Sequence, residues 1–331
     1  MRLFHLILIM SFSASLSSLK GQQDPMYAEY MFNSLSYNPA YAGAKEHLAA
    51  GLIHRTQWWK IREAPKTQSF YLHAPLKNKR VGLGINGLHD QIGISRTFAF
   101  YGNYAYRIPL EESVLSIGIC AGAHSFSQDL TELSLEEADD EAFLASGTSL
   151  LPNVGLGIYF QSEFFYAGLS APRLMEPELR TSPDQTVPGR LYRHFFLQLG
   201  GVIPLGDDEV LFKPSLLARS VGFFGLFSYS ESERSTQAPT EIDLDISFLF
   251  SHTIWIGSSL RAPLTAIRSD RFGYRSVDLW GAYYFDNGLR IGGAFDYPLG
   301  ALQTIAGGSF ELFLGYEFDI RTKRMATPRY F

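Results

Sequence analysis

Apolar side chains recur at every second residue in short segments repeated along most of this chain, and that periodicity restricts it to a fold built of strands. In residues 289–297 the odd positions are Leu289, Ile291, Gly293, Phe295 and Tyr297, and between them stand Arg290, Gly292, Ala294 and Asp296. In residues 310–318, Phe310, Leu312, Leu314, Tyr316 and Phe318 alternate with Glu311, Phe313, Gly315 and Glu317. Ile242, Leu244, Ile246, Phe248 and Phe250 alternate with Asp243, Asp245, Ser247 and Leu249, and Phe98, Phe100, Gly102, Tyr104 and Tyr106 follow the same rule. Successive side chains on a strand point to opposite faces, so each segment has one apolar face and one mixed face that often carries charge. Beyond the N-terminus no stretch reaches the roughly 18 apolar residues that a membrane helix requires. Lipid outside and a polar lumen inside account for both faces, which predicts an all-β transmembrane β-barrel of the outer-membrane type. The 26 Phe, 18 Tyr and 30 Gly agree with many strands, but a soluble sandwich has the same composition, so the alternation carries the argument.

Between turn signals the sequence divides into about 14 antiparallel strands: 45–57, 65–75, 80–90, 95–107, 113–127, 152–160, 163–171, 191–203, 209–220, 240–250, 253–262, 275–285, 288–297 and 308–319. Connections after even-numbered strands are short, and those after odd-numbered ones are mostly longer, apart from a brief loop at 91–94. Bacterial outer-membrane barrels have even strand numbers, short periplasmic turns and longer extracellular loops, so both termini are expected in the periplasm. Pro65, Pro75, Pro109, Pro152, Pro172, Pro204 and Pro263 are expected at strand ends or turns. Pro214 is the exception, and it requires either a bulge or a later strand start.

Met1-Arg2, an apolar run over 3–10 and small residues through Ser18 have the order of a secretory signal peptide, assigned to 1–21. Residues 22–44 form an N-terminal segment rich in Tyr, Phe and Pro, placed in the periplasm or in the lumen as a plug; 45–320 form the barrel, and 321–331 a periplasmic C-terminal tail. Cys120 is the one cysteine, so no intrachain disulfide can form. A net charge of −5 argues against nucleic acid as a partner.

Motifs for chemistry are sparse. The eight His show no HxxxH or HExxH spacing, and the acidic run Glu136, Glu137, Asp139, Asp140 and Glu141 lacks the glycine-spaced pattern of a calcium loop, so it reads as a solvated loop. There is no GxSxG, and no catalytic residue, cofactor-binding residue or metal ligand is assigned. Gly82, Gly84, Gly155 and Gly157 read as strand glycines admitting close packing. His54, Arg55, Lys66, His73, Arg107, His194 and Arg290 are candidates to face the lumen with Asp243, Asp278, Asp296, Glu311 and Glu317, either as paired charges that stiffen the barrel or as the lining of a selective pore. Trp58-Trp59 reads as an interface anchor at the end of the first strand. In Asn38-Pro39-Ala40-Tyr41-Ala42-Gly43 the residue before proline is extended and Gly43 permits positive φ; this turn either steers the chain into the first strand or touches a periplasmic partner.

One family shares these features in order and spacing. Gln22-Gln23-Asp24-Pro25, Tyr30-Met31-Phe32-Asn33 and Asn38–Gly43 open the match. It continues through His54-Arg55-Thr56-Gln57-Trp58, Ala64-Pro65-Lys66-Thr67-Gln68, Asn153-Val154-Gly155-Leu156-Gly157, Arg193-His194-Phe195-Phe196, Lys213-Pro214-Ser215 and the terminal Pro328-Arg329-Tyr330-Phe331. The sequence resembles the PorP/SprF family of outer-membrane barrels associated with type IX secretion and gliding motility in Bacteroidota. The resemblance implies a non-enzymatic protein that supports secretion or cell-surface anchoring of an adhesin-like surface protein. Its implied partners are type IX components, that surface protein and a peptidoglycan-binding periplasmic lipoprotein. Asn38, Pro39, Tyr41, Gly43, Arg55, Gln57, Trp58, Pro65, Lys66, Arg193, His194, Pro328, Arg329, Tyr330 and Phe331 are the family-type positions carried over as candidate partner contacts. Residues 221–240 and the acidic loop within 132–141 depart from the family pattern. A transport barrel for small or hydrophobic solutes is the alternative.

Overall fold

The structure is a computed structural model that describes residues 30–129, 147–179, 189–206, 209–221, 240–264, 275–299 and 303–318. The signal-peptide assignment, residues 22–29, the acidic loop, most of 221–240 and the C-terminal tail lie outside the described residues.

Among the described residues the chain forms a closed barrel of 14 antiparallel strands. They are β1 (Leu48–Thr56), β2 (Lys66–Pro75), β3 (Val81–Ile92), β4 (Ser95–Pro109), β5 (Ser113–Gln128), β6 (Gly147–Ser162), β7 (Phe165–Ala171), β8 (His194–Gly201, resuming at Ile203–Leu205), β9 (Val210–Val221), β10 (Glu241–Phe250), β11 (Ile254–Pro263), β12 (Arg275–Tyr284), β13 (Leu289–Leu299) and β14 (Ser309–Phe318). Each strand pairs with its sequence neighbour, and β14 closes on β1 in the register Leu48↔Phe318 to Thr56↔Phe310. Closure leaves no free sheet edge around the cylinder, the condition a strand fold must meet to cross a bilayer.

The strand bounds follow the alternation closely, with one substantial difference. β6 begins at Gly147, not at 152, so Pro152 lies inside a strand opposite Ala123. It is tolerated because β6 outruns β7: their pairing starts only at Leu156↔Ala171, and beyond it the missing N–H interrupts no ladder with β7. Pro214 needs neither a bulge nor a late strand start. The β8–β9 register is the same on both sides of it, Gly200↔Ser215 and Ile203↔Phe212, and pairing lapses only between those rungs. Val202 donates its N–H instead to the Phe164 carbonyl, at 2.8 Å.

The faces are sorted opposite to those of a water-soluble protein. Ile242, Leu244, Ile246, Phe248 and Phe250 look outward while Asp243, Asp245 and Ser247 are buried. The same holds for Phe310, Leu312 and Leu314 against Glu311. An exposed apolar belt this continuous is a lipid-facing surface. Ile246, 55% exposed at mid-strand, is therefore expected to resist charge. Ile246→Arg should cost about 2–4 kcal/mol of folding free energy in lipid vesicles, read from the urea midpoint. A neutral outcome would show that this face does not meet the bilayer.

Residues 30–44 lie inside the cylinder. A 3-10 turn (Tyr30–Asn33), one helical turn (Ser34–Tyr37) and a second 3-10 turn (Pro39–Tyr41) cross the lumen, with Tyr30, Leu35, Asn38, Ala40 and Ala42 almost wholly buried.

Candidate functional site

The lumen brings together the charges, aromatic rings and family-type residues, in layers set by the N-terminal segment. That segment is seated by inward-facing glycines. A Cβ on Gly118 of β5 would lie 2.2 Å from Ala40 N, and one on Gly157 of β6 would lie 2.1 Å from Asn38 Oδ1. Real carbon atoms do not approach so closely, so the segment, by its backbone at Ala40 and its side chain at Asn38, occupies the space where wall side chains would otherwise stand. Asn38 is the pivot: its Oδ1 accepts from Ala40 N at 3.0 Å, capping the second 3-10 turn, and its Nδ2 donates to the Ile158 carbonyl at 3.0 Å. Gly43 turns the chain with φ +76° and donates its N–H to His73 Nδ1 at 3.1 Å.

Rings complete the seat. Phe32 stacks on Phe313 at 4.4 Å and meets Trp255 and Trp280 edge-on; Tyr37 meets Phe196, and Tyr41 lies between His73 and Tyr159. Tyr30 donates to Ser215 Oγ at 2.7 Å. Burial pushes the Tyr30 and Tyr41 phenols well above the ordinary tyrosine range, so both remain neutral donors.

Toward the long-loop end the wall carries an ionic cluster. Arg55 of β1 reaches Asp296 at 2.6 Å and Glu311 at 3.3 Å. Arg261 of β11 reaches Asp243 at 2.7 Å and both Asp278 and Asp296 at 3.7 Å. These six side chains are at most 4% exposed. Toward the short-turn end, Glu317 is shared by Lys45, His47 and Arg290, and Glu46 binds Arg107 and Lys79.

Two expected lumen residues do not face it. His54 and Lys66 are exposed, in the outward rows of β1 and β2 beside Leu52 and Gln68. Their side chains stand near the long-loop rim, where the headgroup layer accepts polar groups. Arg55, His73, Arg107 and His194 are buried inward, and Arg290 is half-buried on the same face. Gln57 and Pro65 close the loop after β1 by an N–H to carbonyl bond of 2.9 Å; Trp58 is half-buried there, and Trp59 is exposed, edge-on to outward Phe310. Arg193 bonds through Nε to the Leu174 carbonyl at 2.9 Å, and His194 stacks against Phe196. Pro328, Arg329, Tyr330 and Phe331 lie outside the described residues. Sequence reasoning missed Arg261 and Lys213 as lumen residues, although both stand on the polar row of an alternating segment.

A lumen occupied by its own N-terminal segment, inside fourteen strands with an apolar exterior, is the setting for the comparison with known families. The family described as "Type IX secretion system membrane protein PorP/SprF" matches residues 19–316. The chain belongs to this family. As a PorP/SprF protein it is an outer-membrane multi-strand barrel of the type IX secretion system. No curated protein matches. Among solved structures, the outer membrane protein Omp33 of Acinetobacter baumannii is similar at 9% identity and TM-score 0.42, over 82% of this chain and 98% of that one. A Pseudomonas aeruginosa FadL homologue is similar at 11% identity and TM-score 0.49, over 86% and 94%. The family positions Asn38, Pro39, Tyr41 and Gly43 are buried in the PorP/SprF lumen, so contact with another protein would require the segment to leave its seat.

Proposed function

We propose that this barrel supports secretion or cell-surface anchoring of an adhesin-like partner protein through contacts at its two ends. The short turns and both termini then face the periplasm, and the long loops face outward. The observation that carries the reading is the seated N-terminal segment. A PorP/SprF barrel whose lumen is crossed by its own buried backbone is suited to holding a shape for partners, and less to passing solute. The rigid ionic wall around Arg55 and Arg261 serves the same end. On the periplasmic side the fitting partners are type IX components, including a peptidoglycan-binding lipoprotein, and gliding motility is a process such anchoring would serve. Deleting the gene and probing intact cells for the adhesin-like protein encoded nearby tests the proposal. Loss of that protein from the surface, with its accumulation inside the envelope, is the expected result. Unchanged secretion and anchoring of every such substrate would refute it. Solute transport, the competing reading, predicts instead that purified protein conducts in planar bilayers with the segment in place.

A further inference from the structure

Between the N-terminal segment and the short turns the lumen keeps a cavity of about 390 Å³, a size typical of small-ligand sites, which span roughly 300–1,000 Å³. Much of its wall is aromatic. Tyr41, Tyr159 and Tyr166 form one run of rings, with centroids 5.3 and 5.9 Å apart, and Tyr71 on β2 extends it through His73. Trp255 and Tyr284 form a second group, their rings 5.9 Å apart. Tyr159 on β6 and Tyr284 on β12 belong to opposite arcs of the cylinder, so the cavity has rings on both sides.

Hydrogen bonding around this cavity is uneven. Polar groups of the N-terminal segment are paired: Tyr30 donates to Ser215, Asn33 accepts from Ser36 Oγ at 2.8 Å, and Asn38 is held at both ends of its amide. The hydroxyls of Tyr41, Tyr71, Tyr159 and Tyr284 are different, for none has a hydrogen-bond partner among the described residues. None of these oxygens is sealed inside the wall, as that of Tyr101 is. Tyr41 and Tyr159 are only 6% and 2% exposed, so their hydroxyls open onto the cavity. A phenol hydroxyl both donates and accepts, and leaving it unpaired away from bulk water is unfavourable. Two of the bases lining the cavity, Lys45 and Arg290, share Glu317. The unmet demand of the tyrosines is for hydrogen bonds and does not depend on charge.

We infer that this cavity is a binding site for a neutral sugar, a pyranose ring whose C–H face stacks on the aromatic wall and whose hydroxyls pair with Tyr41, Tyr71, Tyr159 and Tyr284. A sugar hydroxyl donates and accepts as a phenol does, and one ring carries several of them pointing in different directions. Tyrosine suits both tasks, having an apolar body and a polar tip. A purely apolar ligand would cover the rings but leave the hydroxyls unpaired. His252, exposed in the turn between β10 and β11, is part of the lining, so entry is from the short-turn end. The inference is independent of the surface-anchoring role, since it needs only the seated segment and the cavity.

Purified full-length protein in dodecyldimethylamine oxide, a detergent that carries no sugar, is titrated by calorimetry with glucose, galactose, N-acetylglucosamine and maltose. Cyclohexanol, a ring of similar size with a single hydroxyl, is the control. At least one of the sugars is expected to bind saturably, and cyclohexanol more weakly. Tyr41→Phe and Tyr159→Phe should each weaken that sugar about fivefold, the value of one neutral hydrogen bond, and leave cyclohexanol unaffected. Each variant removes an oxygen that has no partner among the described residues, so both should fold as the parent does. Tyr104→Phe, on the lipid-facing side, should change nothing. No binding by any of the sugars, cyclohexanol as tight as the best of them, or indifference to both cavity variants would overturn the inference. The comparison of sugar with cyclohexanol needs no variant.

Discussion

Gly118→Val should expel the N-terminal segment from the lumen and turn a closed barrel into a conducting one. The first added carbon would meet Ala40 N at 2.2 Å, Ala40 Cα at 2.4 Å and the Pro39 carbonyl carbon at 2.5 Å, all of them backbone. Backbone cannot rotate away as a flexible side chain can, so either the segment or β5 must move. β5 is fixed in the ladder on both sides, through Gly118↔Ala105 and Gly118↔Gly157, whereas the segment is held by side-chain packing and a few hydrogen bonds. Releasing it forfeits burial of Phe32, Tyr37 and Tyr41, about 1.5–3 kcal/mol for each large ring. The fourteen-strand ladder does not depend on those contacts and should persist. Planar-bilayer recordings are expected to show a large step in conductance over the parent protein, with the far-ultraviolet strand signal retained. Folded Gly118→Val protein that conducts no better than the parent would mean that the segment is not what closes the lumen.

How much of this was legible before the structure depends on the range of the interactions involved. Alternation is local, and it located all fourteen strands, the alternating short and long connections, and the facing of Asp243, Asp296, Glu311 and Glu317. It fails where residue chemistry is allowed to overrule parity. His54 and Lys66 are charged or polar, yet they occupy the same rows as Leu52 and Leu72, and parity alone would have placed them outside. Arg261 is the converse, a cation in the inward row of β11 whose importance comes from three acids on β10, β12 and β13. The path of residues 30–44 was beyond local reasoning, which left a lumen plug and a position beneath the barrel equally open. What seats the segment is a set of small residues on distant strands, Gly82, Gly118 and Gly157, aligned only when the cylinder closes. The cavity is assembled in the same way, from Lys45 ahead of β1, Lys213 on β9 and Arg290 on β13. No spacing in the sequence announces it.

Arg261→Met should be the most destabilising single change in the wall. The substitution keeps much of the side-chain volume and removes the guanidinium that Asp243, Asp278 and Asp296 share in this buried cluster. Breaking a buried charge pair from one side costs about 3–5 kcal/mol, because the abandoned charge keeps its desolvation penalty. The expected readout is a fall of that size in unfolding free energy in vesicles, from urea midpoints at neutral pH. Asp278 supplies the control. Its carboxylate is 0% exposed, neither oxygen has a hydrogen-bond partner among the described residues, and it meets Arg261 only at 3.7 Å, beyond hydrogen-bond reach. Asp278→Asn alone should therefore cost little, and in the Arg261→Met background it should restore part of the loss by removing one uncompensated charge. If the double variant is no more stable than Arg261→Met, the loss is one of packing and the cluster is not acting through charge. Recovery would establish that the lumen wall is held by mutual neutralisation of β1, β10, β11, β12, β13 and β14, the arc of the barrel that faces the aromatic seat of Phe32.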